Sequence, residues 1–288
     1  MHMRIILIGS NGQLGTDLRK VLPPETLALD WPEFDVRQSD QVREVFQRER
    51  PEQVINCAAM TNVDLCEDET SEAFAVNTLG ALHVARCAEE VGAAVYYVST
   101  DYVFGADTTR TEPYTEDDTP GPINVYGASK LAGEHLTIGY NSRACVIRTC
   151  GLYGHAGARG KGGNFIETML RLANEGKPIR VVNDQRLSPT STAECARCIR
   201  DLGERRVIGL YHVAAPDSCT WFEFSRAIFE CAHLNADPQP ISTHEYQVRA
   251  RRPMMSALQT RRLTRIGVEA CSPWLDMLHE YMNTRSNR

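Results

Sequence analysis

No stretch of this 288-residue chain stays apolar long enough to span a bilayer, and basic residues do not outnumber acidic ones. The first lack leaves no candidate transmembrane helix, which needs about 20 consecutive apolar residues. The second, 31 Lys and Arg against 37 Asp and Glu, argues against a general nucleic-acid binder, although a local basic patch can still meet a phosphorylated small molecule. Internal repeats and low-complexity tracts are missing as well, and with 42% hydrophobic and 24% charged residues neither disorder nor a fibrous repeat has compositional support. The eight histidines form no metal or catalytic constellation. Cys195 and Cys198 have no second pair or histidine at zinc spacing, so no metal site is expected.

Cysteine itself is plentiful, with ten residues scattered from Cys57 to Cys271. A chain of this size needs no stapling, so reduced, packed thiols are expected. An apolar strand starts at Ile5 with no room for a signal peptide before it, which makes the cytoplasm the expected compartment. The length suffices for one large domain or two modest ones with a substantial core.

The first half alternates short β-branched runs with helical patterns. Strands are expected at Ile5–Ile8, Leu27–Leu29, Val54–Ile55, Val95–Val98 and Val146–Ile147. Helices fall between them at Gln41–Arg48 and Ala73–Val91, the latter with Phe74, Leu82, Val84 and Ala88 on one face. Such βαβ alternation predicts an α/β, Rossmann-type, doubly wound parallel sheet with ligands at the carboxyl ends of its strands. After Gly151 the rhythm breaks into Gly-rich loop, helix and short strand. This predicts a dinucleotide-binding domain over residues 1–150, to which parts of the second half can return, and a smaller α+β substrate lobe over 151–288. The lobe is expected to hold helices near Phe165–Glu175, Thr192–Leu202, Trp221–Ala232 and Pro273–Met282, and strands near Ile179–Val182 and Tyr211–Val213.

The first strand runs directly into GSNGQLG, residues 9–15, and on into a helix. Gly9, Gly12 and Gly15 permit a tight turn, close approach to a pyrophosphate and close helix packing, while the helix N-terminus offers N–H groups to the anion. The strand–loop–helix context raises the motif well above a structural turn. Asp30 ends the second strand, eighteen residues after Gly12, where an acid meets an adenosine ribose. Arg37 is the alternative neighbour for a ribose phosphate, so NADH and NADPH both stay open. Further on, Tyr126 and Lys130 stand four apart on one helix face, in YGASK. A lysine ammonium beside the phenol favours phenolate and lowers the tyrosine pKa toward proton transfer at neutral pH. Ser99 or Thr100, at the end of the fourth strand, is placed to hydrogen-bond a substrate oxygen.

On these motifs the chain resembles the extended short-chain dehydrogenase/reductase superfamily over essentially its whole length, and within it the dTDP-4-dehydrorhamnose reductases. The narrower resemblance rests on NCAAMTNVD at 56–64, STDYVF at 99–104, PINVYGASKLAGE at 122–134, GNF at 163–165, NDQ at 183–185 and ARRPMMSAL at 250–258. It implies reduction of a C4 keto group on a nucleotide sugar with NADPH or NADH. Tyr126 would give the proton, Lys130 hold the nicotinamide ribose and Thr100 polarise the carbonyl. Gly12, Gln13, Leu14, Asp30, Asp35, Val36, Ala59, Met60 and Thr61 would line the dinucleotide, with Asp35 and Val36 flanking the adenine. Thr100, Asp101, Asn164 and Arg252 would contact the sugar nucleotide, and a homodimer is the assembly to test.

Other nucleotide-sugar 4-ketoreductases or epimerases share these groups, and a non-catalytic regulatory subunit is the reading outside enzymes, against which intact Tyr126, Lys130 and Thr100 argue. Two departures stand out. Gly151 occupies the place of a tryptophan that packs on the bound sugar, so binding should suffer more than chemistry. Restoring an indole there would tighten binding if the backbone accepts a side chain, and destabilise the fold if Gly151 needs positive φ. The acids that in some relatives hold an intersubunit magnesium are Asp17 and a shifted Glu194 here, so no metal is assigned. Of Arg249, Arg251 and Arg252, ordinarily a solvated run, Arg252 takes a diphosphate role through the resemblance. Trp221 and Phe222 read as core.

Overall fold

A computed structural model describes residues 3–156 and 163–286. Strand β1 (Ile5–Ile8) has all four residues buried, as a parallel strand covered on both faces requires. Helix α1 (Gln13–Val21), β2 (Leu27–Leu29), α2 (Ser39–Glu49) and β3 (Gln53–Asn56) continue the alternation. Then come α3 (Val63–Asp68), α4 (Thr70–Phe74), a π-helical turn over Ala75–Leu79, α5 (Gly80–Val91) and β4 (Ala94–Thr100). A 3₁₀ turn at Asp101–Val103 and a long loop lead to α6 (Val125–Tyr140) and β5 (Cys145–Thr149). Beyond it follow β6 (Leu152–Tyr153), α7 (Phe165–Asn174), β7 (Arg180–Val182), β8 (Arg186–Leu187), β9 (Thr190–Ser191) and α8 (Thr192–Glu204). Last are β10 (Gly209–His212), β11 (Cys219–Thr220), α9 (Trp221–Cys231), β12 (Gln239–Ile241), α10 (Arg262–Arg265) and α11 (Trp274–Ser286).

Six strands form one parallel sheet in the order β10-β5-β4-β3-β1-β2. Strand order reverses at β1, because β2 lies to one side of it and β3 to the other, which opens a crevice at the carboxyl ends there. Successive strand residues point to opposite faces. Leu7, Ile55 and Ile147 therefore pack with Leu18 and Leu202 on one side, and Ile6, Ile8 and Val54 with Val42, Phe46 and Val84 on the other.

Two expectations shift. The strand near Tyr211 lies in the central sheet rather than the smaller lobe, since β10 pairs with β5 through Leu210 and Val146. Without β10 the buried row Cys145–Val146–Ile147 would stand at an open edge. The segment 73–91 is not one continuous α-helix: the π-turn inserts a residue and turns the stripe that follows. The buried face is consequently Ala81, Val84, Ala85 and Ala88, while Phe74 and Leu82 are only partly buried.

Among the described residues the second half adds three two-stranded ribbons, β8 with β11, β7 with β12 and β6 with β9. Helices α7 and α9 pack together there, whereas α8 returns to pack on α1 of the sheet domain. One core runs through both halves, joining Leu7 and Leu18 to Phe224, Met277 and Tyr281. All ten cysteines are thiols, and Cys198 in α8 lies with its Sγ 3.8 Å from that of Cys271. Among the described residues no helix is long and apolar enough to cross a membrane.

Candidate active site

A cavity of about 910 Å³ opens at the carboxyl ends of β1, β3 and β4 and continues between the sheet and the second half. Its floor at one end is the glycine loop. Gly9 has φ +77°, and a Cβ on Gly15 would stand 2.1 Å from the Gly9 carbonyl oxygen, so only glycine lets the loop fold this tightly. Gly12 caps α1 without a side chain, which leaves the first-turn N–H groups of that helix to an anion. This cradle fits the pyrophosphate of a dinucleotide. Gln13 lines it too, and its Oε1 accepts the Gly154 N–H at 3.0 Å, tying the loop to the second half. Leu14 is buried beneath.

Asp30 lies at the end of β2, lines the cavity and accepts the Asn11 N–H at 2.5 Å. The carboxylate therefore holds the glycine loop as well as facing the cavity. Asp35 and Val36 lie beside it, and the Arg37 guanidinium next to Asp35 holds that carboxyl below its ordinary range. Arg37 itself is shared between Asp35, at 2.6 Å, and Glu72 of α4. As the alternative partner for a ribose phosphate it is thus already paired with two acids. Ala59, Met60 and Thr61 form the facing wall. That wall is positioned from the π-turn: Asn77 accepts the Met60 N–H at 2.8 Å and donates to its carbonyl at 3.2 Å.

At the middle of the cavity α6 presents Tyr126 and Lys130, and β4 ends on Thr100. Asn124 starts α6 by accepting the Gly127 N–H at 2.8 Å, and its amide donates to the Arg251 carbonyl at 2.8 Å. Burial raises the Tyr126 phenol above its ordinary 10.0, and a hydrogen bond with Thr100 draws it part of the way back. Lys130, only 2% exposed, donates to the Val98 carbonyl at 2.7 Å and lies 4.0 Å from the centre of the Tyr97 ring. Burial lowers its ammonium to about 7. The expected lowering of the phenol by lysine is therefore not what this structure has, because desolvation dominates both groups. Ser99 is excluded from the choice at the strand end: its hydroxyl donates to Glu134 at 2.5 Å, inside the buried Glu134–Arg148 pair. That leaves Thr100 as the hydroxyl for a substrate oxygen.

The rest of the cavity is built by the second half. Asn164, Phe165, Arg186, Trp221, Arg252 and Ser256 are among its walls. Arg252 pairs with Asp64 at 2.8 Å, whereas Arg249 pairs with Asp68 away from the cavity and Arg251 is exposed. The run of three arginines is thus split, with one guanidinium at the site. Asn164 lines the wall, yet its side chain is spoken for: it accepts the Glu167 N–H as the cap of α7 and donates to the Gly154 carbonyl and the Tyr281 hydroxyl. Trp221, read from sequence as core, does pack against the core and also borders the cavity, in contact with Phe165, ring centres 4.6 Å apart. Arg186 was missed as well. No local motif marks either residue, since only the packing of α9 on α7 and the pairing of β8 with β11 bring them to the cavity. Asp17 is held by Lys20 and Thr192, and Glu194 by Arg197.

Fold and cavity together define an oxidoreductase of the extended short-chain dehydrogenase/reductase class. More narrowly, the chain belongs to the RmlD substrate binding domain family, whose model matches residues 3–287. It is 36% identical over 287 residues to the spore coat polysaccharide biosynthesis protein SpsK of Bacillus subtilis, covering 99% of this chain and 98% of that one. It is 37% identical over 280 residues to the dTDP-4-dehydrorhamnose reductase of Escherichia coli, covering 90% of each. The crystal structure of dTDP-4-dehydrorhamnose reductase from Bacillus anthracis in complex with NADP superposes with a TM-score of 0.92 at 39% identity, covering 99% of this chain and 100% of that one.

Proposed function

We propose that the protein reduces the C4 keto group of dTDP-4-dehydro-L-rhamnose to give dTDP-L-rhamnose, with NADPH or NADH. The observation that carries the reading is the meeting of the glycine cradle, Tyr126, Lys130 and Thr100 in one cavity, in a chain alike over almost its full length to reductases of that name. Residues 1–150 with β10 and α8 serve as the dinucleotide domain, and the remainder of 151–288 as the substrate lobe.

A bound nicotinamide dinucleotide supplies the hydride for C4. The chain supplies the rest. Gly9, Gly12, Gln13, Leu14 and Gly15 hold the pyrophosphate, Asp30 faces the adenosine ribose, and Asp35, Val36, Ala59, Met60 and Thr61 enclose the adenine side. Thr100 donates to the C4 oxygen and holds the ketone against Tyr126. Tyr126 then gives its phenolic proton to that oxygen as negative charge grows on it. Lys130, pinned by Val98 at the cavity wall, takes the nicotinamide ribose. Asp101, Asn164 and Arg252 border the sugar nucleotide.

The test is steady-state reduction of a panel of 4-keto nucleotide sugars with NADH and NADPH. Turnover of the dTDP-rhamnose precursor above all others is expected. Activity confined to another sugar nucleotide would leave only the ketoreductase class, and dinucleotide binding without any turnover would favour a regulatory role.

A further inference from the structure

Trp31 is 59% exposed, the most exposed of the large apolar side chains among the described residues, and it belongs to none of the buried clusters. A single exposed apolar residue is ordinary. This one, however, also lines the cavity, directly after Asp30 and together with Phe34, Val36 and Arg37. Its backbone is held in place. The Phe34 N–H donates to the Asp30 carbonyl at 2.9 Å, closing a turn around Trp31, and the Phe34 ring is buried with Val36 and Val45. Gln41 of α2 braces the next residues, its amide donating to the Glu33 carbonyl at 2.9 Å and its Oε1 accepting the Asp35 N–H at 2.8 Å.

The neighbours of the indole define what it meets. Asp30 faces the adenosine ribose, and the glycine cradle takes the pyrophosphate. The adenine is bonded to C1′ of that same ribose, so it lies close to Asp30, and Trp31 is the adjoining residue, its Cα about 3.8 Å from that of Asp30 across a trans peptide. The cavity walls beside it are apolar, formed by Val36, Ala59 and Met60 and joined by Leu65 and Val76. Val36 is buried whereas Trp31 is exposed, so a purine between them has its inner face on the core and its outer face on the indole. Arg37, the other long side chain of this lip, is taken by Asp35 and Glu72, which leaves the indole as the flat apolar surface there.

We propose that Trp31 is a positioning residue for the dinucleotide, its indole stacking on the outer face of the adenine, which rests on the reading of the cavity as a dinucleotide site. Every base has a π-face, so an indole holds it without hydrogen-bond readout, and the contact also takes part of the exposed indole out of water. The adenine is common to NADH and NADPH. Trp31 therefore raises the affinity for both alike and leaves the choice between them to the groups that face the ribose. Tyr126 and Lys130 act at the nicotinamide end, on the far side of the pyrophosphate, so the indole acts on binding and not on hydride or proton transfer.

The experiment titrates ADP, NADH and NADPH into the native protein, Trp31→Phe and Trp31→Ala. ADP carries the adenine, its ribose and the pyrophosphate without the nicotinamide. Trp31→Ala should raise the Kd of all three by the same factor, about 5- to 20-fold, the lower part of the range for base–aromatic stacking because the outer side of the indole stays in water. Trp31→Phe keeps a ring and should recover most of that loss. In steady-state assays the KM for the dinucleotide should rise by a like factor while kcat at saturation stays within about two-fold of native. The chain has three tryptophans, and ADP should quench the indole emission of the native protein but not that of Trp31→Phe. A Kd for ADP in Trp31→Ala within about two-fold of native, quenching retained in Trp31→Phe, or a loss in kcat rather than KM would overturn the stack. If Trp31→Ala does not fold, the quenching in Trp31→Phe decides alone. A native protein that binds neither ADP nor a dinucleotide instead refutes the dinucleotide reading and removes the stack with it.

Discussion

Replacing Gly151 by Ala should destabilise the protein by about 2–4 kcal/mol, and the reasoning is local. Gly151 has φ +53°, in the left-handed region where a Cβ costs about 1–2 kcal/mol. That Cβ would stand 2.7 Å from Leu187 Cδ1 and 3.3 Å from Pro189 Cα. The leucine methyl can turn away, but Leu187 is only 2% exposed and the proline contact is backbone, so crowding adds about 1–3 kcal/mol. The stiffer unfolded chain returns about 0.4–1 kcal/mol of this. For a chain of this size each kcal/mol moves Tm by about 2–4 °C, so thermal unfolding should show a drop of roughly 4–15 °C. An indole at the same position adds bulk to the same conflict. Gly151→Trp should therefore lower stability further and weaken substrate binding, the second of the two outcomes that the sequence left open. A Tm for Gly151→Ala within about 1 °C of native, or a lower KM for Gly151→Trp, would refute the argument.

Tyr126→Phe should leave dinucleotide affinity nearly intact and lower turnover by roughly 100-fold or more, seen by comparing fluorescence titration with initial rates. Lys130→Met should impair both. Burial brings the folded-state Lys130 to about 7 from 10.5, so between these values the unfolded chain holds a proton that the folded chain lacks. Stability from this group is present at high pH and lost as pH falls through about 7, and denaturant melts of Lys130→Met should lack that pH dependence. Asp30→Ala should shift the ratio of NADPH to NADH use toward NADPH, because a carboxylate near the ribose repels a 2′-phosphate. It should also weaken both dinucleotides, since the same carboxylate holds the Asn11 N–H, and an unchanged ratio with unchanged affinities would contradict both roles.

Local sequence was enough wherever backbone geometry and chemistry coincide in a short run. The parallel sheet was legible from buried β-branched strands at regular spacing, and the dinucleotide cradle from Gly9 to Gly15, because close approach there excludes any side chain. Tyr126 and Lys130 were legible as a pair because four residues return to one helix face. What they do to each other was not, since the pKa of each is governed by how deeply α6 and β4 bury it. The phase of the 73–91 helix was lost to a single π-turn, which no propensity announces. Placement of β10 required knowing which sheet edge stood open. Trp221 and Arg186 reach the cavity only because distant segments dock there, and Asn164 is consumed by capping and by Tyr281. The sequence by itself therefore determined the class of fold and the groups that carry the chemistry, whose signals lie within a few residues of one another. Tertiary structure alone decided which of those groups remain free to act, because desolvation and hydrogen-bond partners are set by chain segments a hundred or more residues away, such as Arg252 beside Asp64.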